Sequence, residues 1–195
     1  MGISTTRRTQ ADRSATTKAA LADGAIDLLV ERGWGATTVI EVCNRVGVSR
    51  GAFHHHYASL PELLADALRR LYAEMARSKH KEVTDVADLV DVTWKAIGNP
   101  RFKAVLEAWL AMANDPSLRS EIGPVVTEFA SLVSPDNITK ILSDADRRDF
   151  FVTARESMIG LALGRATNGG KPLGHERRVL ARIRVEASTF EVAGH

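Results

Sequence analysis

The stretch VGVSRGAFHHHYASLPELL, residues 46–64, sets a glycine, a serine and three consecutive histidines between two apolar segments. Gly47 follows directly on a helical beat, where a left-handed residue ends a helix at little cost. Val48 can plug the turn, and Ser49 is suited to cap a new helix. In that helix Phe53 and Tyr57, four apart, point to one side. Ser59-Leu60-Pro61-Glu62 then has capping-box spacing, with proline tolerated in the first turn. It opens a long helix through Leu63, Leu64, Ala67, Leu68, Leu71 and Met75 towards Lys81.

Towards the N-terminus, Leu21, Ala25, Leu28, Leu29 and Arg32 keep a helical interval. A helix is predicted over residues 14–32, with Gly33 and Gly35 to stop it. Thr38-Val39-Ile40-Glu41 is another capping box, in which the threonine oxygen caps the first turn and the glutamate reaches back. Val39, Val42, Cys43 and Val46 fall at i, i+3, i+4 and i+7, one apolar face of a short helix. Cys43 is the only cysteine, so neither an internal disulfide nor a cysteine-based zinc cluster can form. On that face it is a small core residue and not a nucleophile.

The chain has 195 residues, 45% hydrophobic and 26% charged, a globular balance. Few segments alternate apolar and polar residues, and most repeat at three and four, so the fold class is all-α. Net charge is +2, and the excess sits at the front: residues 1–60 hold seven Lys/Arg and five Asp/Glu, the remainder nineteen of each. Arg7, Arg8, Arg13 and Lys18 face one acid, Asp12. A short basic arm ahead of a helical domain suits phosphate contact, and a solvated tail has the same composition. No apolar run approaches the roughly 18 residues of a membrane span, so a cytoplasmic protein without membrane contact is expected.

Consecutive histidines suggest a metal site, yet helical neighbours are turned about 100° apart. His54, His55 and His56 therefore splay around the helix, and no second histidine stands three or four residues from them in a chelating pair. No G-x-S-x-G elbow is present, and NGGKPLG at 168–174 lacks the spacing of a phosphate loop. No catalytic residue, metal or cofactor is expected. With Phe53 and Tyr57 turned inward, the opposite face of the helix is left for solvent or a partner.

Two short helices joined by a glycine turn and packed on a longer one make a helix-turn-helix. RRTQADRSATTKAAL at 7–21, ERGWGATTV at 31–39 and VGVSRGAFHHHY at 46–57, followed by a capped helix, resemble the TetR family of transcriptional repressors over residues 7–68. The resemblance implies an N-terminal DNA-binding domain, residues 1–60, and a C-terminal helical domain for ligand binding and dimerisation, residues 61–195. Arg50, with Ser49, Gly51 and Ala52 beside it, would approach the bases, since arginine can fork onto guanine. His54, His55 and His56 would meet groove rim and phosphate. Thr37 and Thr38 could add hydroxyl and backbone contacts, and Arg7 and Arg8 the arm. Two positions depart from the family: His54 stands where many members carry a phosphate-binding tyrosine, and Leu60 where they carry lysine.

Five further helices are expected: near 85–97, near 100–113, one after the NDPS break at 114–117 in which Ile122, Val125, Val126, Phe129 and Val133 keep the beat, then near 145–167 and 176–192. Gly123-Pro124 should kink the third of them. By the resemblance, the middle helices enclose a small-molecule pocket, with Trp94, Phe102, Trp109, Met112 and Phe129 as candidates from the apolar stripes. Ser157, Gly160, Leu161 and Gly164, with Leu180, Ile183, Ala187 and Phe190, are the candidate dimer interface. The expected function is a homodimeric, ligand-responsive repressor, binding a double-stranded, palindromic DNA operator and released by an unidentified small-molecule effector. A metal-sensing regulator and a helical small-molecule-binding protein without DNA binding are the alternatives.

Overall fold

The computed structural model describes residues 10–77, 83–132 and 141–192. Arg7, Arg8, Lys81 and Val133 lie outside the described residues. Among those described, every regular element is helical: α1 (Gln10–Arg32), a 3-10 turn (Trp34–Ala36), α2 (Val39–Val46), α3 (Arg50–His56), α4 (Leu60–Arg77), α5 (Val86–Ile97), α6 (Phe102–Asn114), α7 (Pro116–Leu132), α8 (Ala145–Thr167) and α9 (Glu176–Val192).

α1 begins four residues before the predicted start at Ser14. The Thr16 and Thr17 hydroxyls donate to the carbonyls of Asp12 and Arg13, one turn back, so residues that favour turns are absorbed into the helix. Thr38 caps α2 as expected, accepting from the Glu41 N–H at 3.2 Å. The return half of that box does not form, because Glu41 pairs instead with Arg32 at 2.9 Å. Ser59 accepts the Glu62 N–H, while the Glu62 carboxylate reaches past it to the Ala58 N–H at 2.7 Å.

Gly47 is left-handed at φ 73°, and the N–H groups of Gly47 and Val48 both donate to the Cys43 carbonyl, closing the end of α2. Ser49 caps α3 on the Ala52 N–H. α1 packs against α2, α4 and α6. Gly24 permits the first of these contacts: a Cβ there would lie 2.8 Å from a Val46 methyl. α4 and α6 both pack on α7, and α5 packs on α8 and α9. One continuous apolar core runs from Leu21 in α1 to Ala187 in α9, so the N-terminal helices rest on the C-terminal ones.

Candidate nucleic-acid interface

α3 is held from within by Phe53, which is fully buried, and from its end by Tyr57, the first residue beyond the helix. The Tyr57 hydroxyl donates to Asp66 on α4 at 2.6 Å and lies 3.3 Å from the Lys18 carbonyl on α1, so three helices converge on it. Burial pushes the Asp66 carboxyl upward, but the Tyr57 hydroxyl and the Arg70 and Lys18 charges outweigh it and hold it below the ordinary range. Burial, then Asp66, raises the Tyr57 phenol well above its usual value, so it remains a donor.

The opposite face of α3 is bare. Ser49, Arg50, Gly51, His54 and His55 are exposed, and Ala52 and His56 are half-buried. Arg50 makes no hydrogen bond or ion pair among the described residues. Nearby arginines are committed: Arg32 to Glu41, and Arg45 through both terminal nitrogens to Glu31. His54 sits edge-on to Phe53, and His55 edge-on to His56. Burial, then the His55 and Lys18 charges, holds the His56 pKa below the usual histidine value.

Thr37 is a correction. It is 3% exposed, its hydroxyl donates to the Gly33 carbonyl at 2.9 Å, and its N–H goes to Trp34. Both polar groups are consumed inside the turn, which leaves nothing for a phosphate. Thr38 is exposed beside it, with its oxygen engaged as the cap of α2. Leu60 is half-buried and packs on the core. Cys43 is buried, and burial pushes its thiol up.

In the C-terminal helices, the structure brings together four of the aromatic rings around α4, α6 and α7. Phe102 meets Trp109 edge-on at 5.8 Å, and Phe129 stacks on Tyr72 at 3.8 Å. Tyr72 was missed in sequence because it falls on the regular apolar beat of α4. Met112 is half-buried on α6. Trp94 belongs elsewhere, under the Arg165 guanidinium at 5.0 Å. That guanidinium also holds buried Glu176 at 2.5 and 2.6 Å and the Gly98 carbonyl at 2.8 Å, tying α5, α8 and α9 together. Hydrogen bonds from Arg165 keep the Glu176 carboxyl below its ordinary value.

The proposed dimer track is largely spoken for within one chain. Leu161, Leu180, Ile183 and Ala187 are buried in the subunit core, and a Cβ on Gly164 would lie 2.6 Å from a Leu173 methyl of the same chain. Within one chain α8 and α9 pack on α5 and on each other, and an apolar stripe carries no mark in sequence of which chain covers it. Ser157 and Gly160 are exposed, and Phe190 is half-buried against Phe150. Among the described residues no three His, Cys, Asp or Glu side chains converge as metal ligands, and no helix is long and apolar enough to cross a membrane.

Residues 21–67, from inside α1 to inside α4, match the model of bacterial regulatory proteins, tetR family. The chain is 28% identical over 173 residues to the HTH-type transcriptional regulator CymR of Pseudomonas putida, covering 83% of this chain and 85% of that one. In fold it is similar to a putative TetR-family transcriptional regulator from Rhodococcus sp., with TM-score 0.70 and 16% identity over 88% of this chain and 98% of that one. It is also similar to a putative transcriptional regulator from Saccharomonospora viridis in complex with choline, with TM-score 0.63 and 16% identity over 90% and 95% of the two chains. The capped, glycine-turned pair of helices falls within the stretch that matches the tetR family model, and the likeness to CymR and to the solved structures extends the similarity of sequence and fold over most of the chain.

Proposed function

We propose that the protein is a dimeric, ligand-responsive repressor that acts in the cytoplasm on a palindromic operator. The bare face of α3 carries this reading: an uncommitted Arg50 between small neighbours, backed by a fully buried Phe53. In the major groove Arg50 would read a guanine, while His54, His55, Thr38 and the basic arm with Arg7 and Arg8 would meet phosphates. Residues 1–60 would form the DNA-binding domain and residues 61–195 the regulatory one. An effector held among the rings of α4, α6 and α7 would shift helices that touch α1 directly, alter the spacing of the two α3 helices and lower DNA affinity. The relative of known structure bound to choline supports a small-molecule role for such a domain.

The test is a binding titration with DNA from upstream of the protein's own gene, repeated across salt concentrations. About eight to ten phosphate contacts per dimer should give a log–log slope of about −7 to −9. A slope shallower than about −3 would remove the DNA-binding assignment. In the same assay Arg50→Ala should cost about 1–3 kcal/mol and relax preference at one operator position. Uniform weakening across sequences would make Arg50 a phosphate contact.

A further inference from the structure

Tyr72 on α4 is 4% exposed, and its hydroxyl has no hydrogen-bond partner. The indole N–H of Trp109 on α6 is likewise buried without one. Burial drives the Tyr72 pKa up to about 12, and the neighbouring Trp109 indole N–H opposes it, yet neither polar atom makes a hydrogen bond. No charged group contributes to that balance. An indole can only donate, whereas a phenol donates one hydrogen bond and also accepts. If Trp109 turns to donate to the phenol oxygen, the phenol proton is still left over. Any arrangement of this pair alone strands a donor, and stranded buried donors are uncommon in native cores.

The surroundings limit what could take that proton. Phe129 lies on Tyr72 and Phe102 against Trp109, so the donors sit in an aromatic cluster. A groove of about 150 Å³ between α4 and α7, with Tyr72, Val125 and Phe129 in its wall, reaches this cluster from the surface. Arg69 at its mouth lies 4.0 Å from Glu128.

We infer that Tyr72 and Trp109 are the polar anchor of the effector site, and that the effector is a compact aromatic molecule bearing an uncharged acceptor, a carbonyl oxygen above all. The inference rests on the reading of the C-terminal helices as a ligand-binding domain. The ligand oxygen accepts from Tyr72 while Trp109 donates to the phenol, which satisfies both donors at once. A carboxylate is disfavoured, because two neutral dipoles do not offset the desolvation of an unpaired charge. The groove volume is that of roughly one ring, as an apolar cavity of about this size accepts benzene. Since the hydroxyl itself is sealed, Phe129, in the last turn of α7, must leave its stack to admit the ligand.

Calorimetric titration of the full chain with acetophenone, benzoate and ethylbenzene tests this, with operator binding measured on the same preparations. Acetophenone should bind on the order of tenfold tighter than ethylbenzene, the worth of one hydrogen bond in a dry site, and tighter than benzoate. Tyr72→Phe should erase the preference for the ketone while leaving hydrocarbon affinity in place. Trp109→Phe should narrow it, and serves if Tyr72→Phe fails to fold by circular dichroism. Equal binding of ketone and hydrocarbon, benzoate as the tightest probe, no binding of any probe, or an unchanged preference in both variants would overturn the inference. Operator binding without ketone preference sinks this inference alone. Ketone preference without operator binding sinks the repressor reading and leaves the site standing.

Discussion

His56 differs from its two neighbours because it is partly packed. Burial, reinforced by the His55 and Lys18 charges, lowers its pKa below the 6.5 of an unperturbed histidine. Between those two values the unfolded chain holds a proton that the folded chain does not, so stability must fall as pH falls through that window. Above about pH 6.5 both states are neutral there and the contribution is complete. The lowered carboxyls of Asp66 and Glu176 act in a separate window, below their ordinary values of 3.8 and 4.5. Urea unfolding at about pH 7.5, 6.5 and 5.5 should therefore show a decline in the wild type that His56→Gln flattens; parallel curves would mean that His56 titrates alike in both states. Side chains of one type, adjacent in sequence, thus have unlike roles. The same holds for Thr37 and Thr38: a capping threonine was legible from the glutamate three residues on, but nothing local showed that Thr37 would close the 3-10 turn and be buried.

Element boundaries in the helix-turn-helix were legible because their chemistry is local. Gly47, Ser49 and Ser59 act within four residues of themselves, and the structure uses each as the spacing implied. Contacts between distant segments left no such mark, and the most consequential of them joins α6 to α1. The Lys103 ammonium donates to the Val30 carbonyl at 2.6 Å, a cation at the C-terminal end of α1, where the helix dipole favours it. One turn on, Glu107 accepts the Trp34 N–H at 2.9 Å, against Gly33. The face of α6 bearing Trp109 meets the aromatic cluster, so one helix touches both the candidate effector site and the end of α1. Glu107→Ala would strand the Trp34 N–H and should cost about 1–3 kcal/mol, whereas Glu107→Gln keeps an acceptor and should cost less. Chemical denaturation of the two variants checks this, and equal stability of Glu107→Ala and wild type would hand that N–H to water.

At the scale of the whole molecule, the sequence showed apolar stripes on α8 and α9 but not how much of them one chain covers. The subunit core absorbs Leu161, Leu180, Ile183 and Ala187, which shifts any partner-facing surface to the outer side of the pair. There Ser157 and Gly160 on α8 are exposed, with Leu163 43% and Val185 68% exposed as the large apolar side chains. The two glycines of α8 now make opposite predictions. A Cβ on Gly160 meets nothing within 4 Å in its own chain, whereas one on Gly164 meets Leu173. If the outer side is the dimer interface, Gly160→Leu should leave the subunit folded, and gain up to about 1 kcal/mol of helix propensity, while preventing close approach of the partner. Sedimentation should show more monomer, and operator affinity should fall, because half-sites about 34 Å apart need both subunits. Gly164→Leu should instead overpack the subunit at a cost of about 1–3 kcal/mol, read as a lower midpoint of unfolding. A Gly160→Leu protein that sediments as the wild type does would move the interface off this face of α8.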